Sequence, residues 1–217
     1  MNVAVVLAAI AVAFGAWFAL FRGDRRDIWP RTWVIATVLI GFSVGALALV
    51  DRLDDVVGQL DLASLGVGIG VGATWLVATH IGHAVLCRLF PSFIDQVQDL
   101  YRLGVGDPWT RVLGPIVAMA VAEELLFRGV IGGVGGFVAG VVVYTAVQVF
   151  ERKWALTLAA LLAGVIWGGL FEFTGGLLAP VVAHALWTAT LTLVWPLRGC
   201  GPVDIDTPAD TATAGRR

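Results

Sequence analysis

Three charged side chains stand together inside a long apolar segment of this sequence. The stretch AEELLFRG, residues 122–129, places Glu123, Glu124 and Arg128 between apolar runs. On a helix, Glu124 and Arg128 lie four residues apart on one face with the acid first, which is the favourable order for an ion pair. Glu123 points about 100° away from that face and gains no partner from Arg128. A lone charge at mid-bilayer costs at least about 2.5–3.5 kcal/mol, so Glu123 is a candidate functional carboxylate. The alternative is that all three residues only hold helices together.

A histidine and a threonine lie one helical turn apart inside the last apolar stretch. They are His184 and Thr188 in APVVAHALWTAT, where the Thr188 hydroxyl could orient the imidazole. A single histidine in an apolar helix is more often a packing residue than a ligand. A carboxylate and an imidazole that meet around water are nevertheless the groups that hydrolysis needs, with the imidazole polarising a carbonyl or holding a metal. We therefore predict that Glu123 and His184 lie close together.

Two further polar pairs have helical spacing. Tyr144 and Gln148 stand at i and i+4 in VVVYTAVQVF, and an interhelical hydrogen bond is the simpler interpretation of Gln148. His80 and His83 stand at i and i+3 in THIGH, a spacing that can chelate a metal. Cys87, a turn beyond, would add only a weak third ligand, so ordinary polar packing is the favoured interpretation of this pair.

The composition indicates an integral membrane protein. Of 217 residues, 59% are hydrophobic and 14% are charged, whereas a soluble domain carries about 25% charged residues. The net charge of -2 gives no indication of nucleic-acid binding. The N-terminal apolar run is too long for a signal-peptide core and is predicted to be a retained span. The two cysteines, Cys87 and Cys200, are far apart and predict no disulfide framework.

An all-α, polytopic membrane helix bundle of about seven spans is the predicted fold. A crossing helix needs about 20 mostly apolar residues, and the candidate stretches are 2–21, 32–50, 62–87, 110–133, 137–150, 154–171 and 177–196. The fifth is short, and the GGVGG turn before it indicates a break between helices. The loop after the third stretch, residues 91–109, predicts an interfacial amphipathic helix. We expect one membrane domain over residues 1–197 and a disordered cytoplasmic tail over residues 198–217.

The distribution of Lys and Arg predicts the orientation. Of the 14 basic residues, nearly all lie in the odd-numbered loops and the tail, and the even-numbered loops hold only Arg52. Because cytoplasmic loops carry the excess of Lys and Arg, we expect the N-terminus outside and the C-terminus in the cytoplasm. The plasma membrane is the expected compartment.

The charged stretch resembles a known family motif. EELLFR matches the E-E-x-x-x-R motif of the CAAX-protease and bacteriocin-processing (CPBP, or Abi) family of intramembrane peptidases, which includes the type II CAAX prenyl endopeptidases. FTGGLLAPVVAHALWT is similar to the family's later segment, in which a Thr-Gly turn leads to Pro and then to H-x-x-x-N. The resemblance covers about residues 108–195. It implies that Glu123 activates water, that Glu124 and Arg128 complete the first motif, and that His184 is the histidine of the last motif, with Thr188 where Asn is usual.

The middle motif of that family, F-x-x-x-H, is altered here. Its counterpart is YTAVQ, so Tyr144 replaces the aromatic residue and Gln148 replaces the histidine. Gln is a poor ligand for a transition metal, so a divalent metal such as zinc is not expected unless His80 or His83 supplies the missing group. A Gln amide can still donate a hydrogen bond to a developing oxyanion.

The resemblance predicts an intramembrane peptidase that uses a Glu-activated water. Its substrate would be a peptide or protein associated with the lipid bilayer, and no nucleic-acid partner is expected. Two alternatives stay open. An inactive family member acting as a membrane binding or scaffold protein is favoured by Gln148. A small transporter could use the charged cluster as a polar pathway, although no inverted repeat is visible.

Overall fold

The chain folds almost entirely into helices. A computed structural model describes residues 2–22, 27–58, 60–101 and 107–197, and no strand occurs in these ranges. The helices are α1 (Val3–Arg22), α2 (Ile28–Leu49), α3 (Leu53–Val57), α4 (Leu62–Leu89), α5 (Pro91–Tyr101), α6 (Trp109–Glu123), α7 (Gly133–Gly135), α8 (Phe137–Val147), α9 (Trp154–Thr174) and α10 (Leu178–Ala189). A π-helix, Glu124–Gly132, continues α6, a 3-10 turn, Gln148–Glu151, continues α8, and a second π-helix, Thr190–Val194, continues α10.

The predicted all-α membrane bundle is confirmed. Of the described helices, α1, α2, α4 and α9 are long and apolar enough to cross a membrane. Shorter apolar helices span Phe137–Glu151 and Leu178–Val194. Each of the seven predicted stretches falls on a helix or on a helix and its extension. Helices suit such apolar sequences because they satisfy every backbone polar group within the segment, where lipid offers no partner. The protein is therefore an integral membrane protein.

The long helices run alternately in opposite directions between two ends of the bundle. At one end, which we call the α3 end, the backbone around Gly58 packs on the turn at Gly175, and a Cβ atom added at Gly58 would lie 2.6 Å from the Gly175 carbonyl oxygen. At the other, the α5 end, Lys153 forms an ion pair with Asp99, and Trp29 donates a hydrogen bond to Asp107. The first, third and fifth loops thus share the α5 end, as the charge pattern requires. Which end faces the cytoplasm stays a prediction.

The amphipathic helix predicted after the third span is α5. Its apolar face buries Phe93 and Val97 against Cys87 of α4 and Ala155 of α9. On the same helix, the Tyr101 hydroxyl accepts a hydrogen bond from the Leu197 backbone N–H at 3.1 Å. Burial raises the pKa of Tyr101. This helix covers the α5 end of the bundle.

Close packing of α4 on α10 fixes the helix that carries His184. A Cβ atom added at Gly68 would lie 2.7 Å from the Ala179 carbonyl oxygen, and one at Gly72 would lie 3.0 Å from the Ala183 Cα atom. Small residues at such positions let two membrane helices approach closely. The position of α10 is therefore set by the absence of side chains on one face of α4.

Three local features differ from or extend the sequence predictions. The short helix α3 was not predicted. Helix α9 continues past residue 171 to Thr174, so Glu172 lies within this helix. The helix is capped by Gly175, whose φ of +66° is the left-handed conformation that glycine favours at a helix C-terminus. The predicted break before α8 is present, since Gly136 has a φ of +103°. The predicted disordered tail, residues 198–217, and Cys200 lie outside the described residues.

Candidate active site

The charged motif lies where an α-helix changes into a π-helix. Glu123 is the last residue of α6, and Glu124 is the first of the π-helix Glu124–Gly132. π-helical segments inside α-helices are frequent at functional sites because the changed hydrogen-bond pattern redirects side chains. Every residue from Glu124 to Ile131 is buried. The motif is therefore held in the centre of the bundle.

Glu124 is the central residue of the buried polar cluster. Its side chain is fully buried, with Oε1 lying 2.7 Å from Nδ1 of His184 and Oε2 lying 3.2 Å from Nε of Arg128. The predicted ion pair between Glu124 and Arg128 is thus present. Because an ionised carboxylate only accepts hydrogen bonds, Nδ1 of His184 carries a proton. In the neutral imidazole, that arrangement leaves Nε2 as the acceptor.

Glu123 faces the other nitrogen of the same imidazole. Its Oε2 atom lies 3.8 Å from Nε2 of His184, and the Tyr144 hydroxyl lies beside its carboxylate. At that separation one water oxygen can lie about 2.8 Å from both atoms. Arg128 packs on the Tyr144 ring, with its Cζ atom 4.4 Å from the ring centre. The structure therefore brings the predicted Glu123 and His184 together.

Two tryptophans fix the plane of the His184 ring. Trp167 of α9 is fully buried and stacks on His184 with the ring centres 5.9 Å apart and an interplanar angle of 20°. Trp187, one turn along α10, packs at 6.5 Å and donates a hydrogen bond to Thr79 of α4. Sequence reasoning missed Trp167, because nothing in the stretch VIWGGL distinguishes a ring that contacts the site from one that fills the core.

Thr188 and Gln148 are less closely tied to the cluster than the other predicted residues. The Thr188 hydroxyl is buried and has no hydrogen-bond partner in the described part of the chain. The sequence predicted that Thr188 orients the His184 ring, but the contact at Nδ1 of His184 comes from Glu124. Gln148 is buried in the 3-10 turn after α8. Among the hydrogen bonds of the described residues, none joins its amide to Glu123 or His184. The catalytic roles of Thr188 and Gln148 stay predictions.

The donors at this site do not suit a divalent metal. One imidazole nitrogen of His184 already binds Glu124, and Gln148 stands where a second histidine would be needed. His80 and His83 are engaged elsewhere: His80 stacks on Trp195 at 3.8 Å, and His83 lies 3.4 Å from the Cys87 sulfur. Within the described ranges, no three His, Cys, Asp or Glu side chains form a group that could hold a metal ion.

Comparison with protein-family models identifies this region. Residues 106–190 match the Rce1-like model, described as type II CAAX prenyl endopeptidase Rce1-like. Over these residues the chain is similar to the type II CAAX prenyl endopeptidases. The matched segment contains the whole cluster, from Glu123 on α6 to His184 on α10. The search of curated proteins found no match, and neither did the search of solved structures.

Proposed function

We propose that the protein is an intramembrane peptidase that hydrolyses a peptide bond in a membrane-associated peptide or protein. The observation that supports this most is the 3.8 Å separation between Oε2 of Glu123 and Nε2 of His184 inside a buried site of a CAAX-protease-like membrane protein. A general base and an imidazole at that separation can both contact one water and one substrate carbonyl.

In the proposed reaction, Glu123 takes a proton from water as the water oxygen bonds to the carbonyl carbon. The tetrahedral intermediate carries its negative charge on the former carbonyl oxygen. Collapse of the intermediate breaks the C–N bond, and the proton held by Glu123 passes to the leaving nitrogen. The site excludes bulk water, so each hydrogen bond to the developing charge is stronger than it would be in solvent.

The other side chains of the cluster prepare these two groups. Glu124 holds the His184 ring through Nδ1 and thereby keeps Nε2 directed at Glu123. Arg128 balances the charge of Glu124, which would otherwise be buried without compensation. Tyr144 lies beside the Glu123 carboxylate and can donate a hydrogen bond to it. The proposal therefore gives each of these residues a positioning role.

Peptide cleavage by the purified protein in liposomes tests this proposal. The substrates would be a library of membrane-anchored peptides, and products would be detected by mass spectrometry. Replacing Glu123 by Gln should lower the rate by about 10²–10⁴-fold, the usual contribution of a general base. Asp54→Asn alters an exposed carboxylate on α3 and should leave the rate unchanged. Equal turnover by wild type and Glu123→Gln would contradict the proposal.

A second candidate function is that of an inactive relative that binds membrane proteins. Gln148 favours it, because this residue replaces the histidine of the middle motif and makes no hydrogen bond to Glu123 or His184 within the described residues. The variant Gln148→His separates the two candidates. Cleavage that appears only in this variant would support the inactive-relative alternative, and cleavage already present in wild type would support the peptidase.

A further inference from the structure

The proton on the His184 ring leaves the proposed reaction short of one hydrogen-bond donor. Oε1 of Glu124 lies 2.7 Å from Nδ1 of His184, so the neutral imidazole carries its proton on Nδ1 and has an acceptor at Nε2. Nε2 can accept a hydrogen bond from the attacking water, but it cannot donate one to the carbonyl oxygen. The negative charge that develops on that oxygen therefore needs a donor from another side chain.

Gln148, which the sequence suggested for this task, makes no such contact in the structure. Its side chain is buried in the 3-10 turn after α8. Within the described ranges, its amide forms no hydrogen bond to Glu123 or His184. The residue one helical turn earlier, Tyr144, lies at the site instead, because its hydroxyl is within hydrogen-bonding reach of the Glu123 carboxylate.

Three neighbours hold the ring of Tyr144, whose side chain is 4% exposed. The Cζ atom of Arg128 lies 4.4 Å from the ring centre, and the Phe127 ring meets it edge-on with the ring centres 5.0 Å apart. A Cβ atom added at Gly164 of α9 would lie 3.3 Å from Cδ1 of Tyr144, so this glycine leaves room for the ring. The hydroxyl is therefore fixed in advance beside Glu123, as an effective catalytic donor must be.

We propose that the Tyr144 hydroxyl is the oxyanion donor of this site, an inference that rests on the proposed peptidase function. Before the reaction, the hydroxyl donates its hydrogen bond to the ionised Glu123 carboxylate. When Glu123 takes a proton from water, its carboxyl group becomes neutral and a weaker acceptor, while the former carbonyl oxygen becomes charged and a stronger one. The hydroxyl then donates to that oxygen and keeps its own proton, so no bond to Tyr144 forms or breaks.

The same assignment accounts for two departures from the family motif F-x-x-x-H. Tyr144 has a hydroxyl where the motif has Phe, and Gln148 has an amide where the motif has His. A hydroxyl is thus gained one helical turn from the position at which an imidazole is lost. In this assignment, Tyr144 acts on the reacting atoms in addition to holding Glu123 in place.

Kinetics of purified variants in liposomes test the assignment. Tyr144→Phe removes the hydroxyl and keeps the ring, and it should lower kcat by about 10²–10³-fold, the usual effect of removing one oxyanion donor. KM should stay close to the wild-type value, because the hydrogen bond to the oxyanion forms only in the transition state. Tyr101→Phe is the matched control: it makes the same change at the second of the two tyrosines, on α5, and should leave kcat unchanged.

The two possible failures are distinguishable. A wild-type kcat in Tyr144→Phe would overturn this inference alone. A wild-type protein that does not cleave any peptide would overturn the proposed function and this inference together.

Binding of a transition-state analogue gives a second measurement, because a Kd does not depend on the fraction of protein that is folded. A peptide phosphinate carries a negatively charged tetrahedral group and so imitates the intermediate. Its Kd should rise by about 10²–10³-fold in Tyr144→Phe and stay unchanged in Tyr101→Phe. Equal Kd values for the wild-type protein and Tyr144→Phe would overturn the inference.

Discussion

Substitution of Glu124 tests how the buried cluster is held together. This carboxylate is fully buried and contacts His184 at 2.7 Å and Arg128 at 3.2 Å. Glu124→Leu leaves the guanidinium as an unpaired buried charge, which costs about 3–5 kcal/mol. In a chain of this length each 1 kcal/mol lowers Tm by about 2–4 °C, so we expect a fall of at least about 6 °C. Thermal unfolding in detergent at one fixed scan rate would measure it.

The double variant distinguishes an unpaired charge from a general packing defect. Glu124→Leu combined with Arg128→Met removes both charges and keeps apolar volume. Such replacements of a buried ion pair are often neutral or stabilising, so the double variant should have a higher Tm than Glu124→Leu alone. A Tm equal to or below that of the single variant would refute the argument that charge compensation holds the cluster together.

Three more predictions concern single positions. Trp167→Phe should retain most of the proposed peptidase activity because a stacked ring on His184 is kept. Trp167→Ala should lower kcat, and the cavity it opens should cost about 3–5 kcal/mol of stability. Equal kcat for the two variants would contradict the positioning role of Trp167. Gly72→Val should lower Tm because the added side chain forces α4 away from α10. Gly70→Val is the control and should leave Tm unchanged, because a Cβ atom at Gly70 meets nothing within 4 Å. The backbone N–H of Ser64 holds the pKa of Asp61 below its ordinary value of 3.8. The ionised carboxylate therefore stabilises the fold above that pH, and this stabilisation is lost as pH falls through the lowered pKa. Thermal unfolding measured between pH 3 and about 7 should show a smaller fall of Tm with acid in Asp61→Ala than in wild type, and an equal fall would contradict this prediction.

The architecture was predictable because apolar length and charge carry most of the information. Long apolar runs with few charges placed the helices to within a few residues, and the amphipathic pattern within residues 91–109 predicted the helix that the structure has as α5. Helix α9 runs past the predicted stretch 154–171 to Thr174, because hydropathy does not locate the helix cap that Gly175 supplies.

Some contacts of the candidate site were predictable from the sequence and others were not. The spacing of Glu124 and Arg128 gave their ion pair, since both lie on one helix. The contact of Glu124 with His184 was missed, because it joins residues 60 positions apart and depends on how α6 packs against α10. Trp167 was missed for the same reason. Periodicity within one helix contains no information on which neighbouring helix a side chain meets.

The most direct test of the central claim is to follow oxygen from water into the cleaved peptide. The purified protein in liposomes would be given membrane-anchored peptides in water labelled with oxygen-18. If Glu123 and His184 activate water, wild type should release a product with one oxygen-18 atom in its new carboxylate, and Glu123→Gln should release about 10²–10⁴-fold less. Labelled product formed at the wild-type rate by Glu123→Gln would contradict the claim, as would a complete lack of cleavage by the wild-type protein.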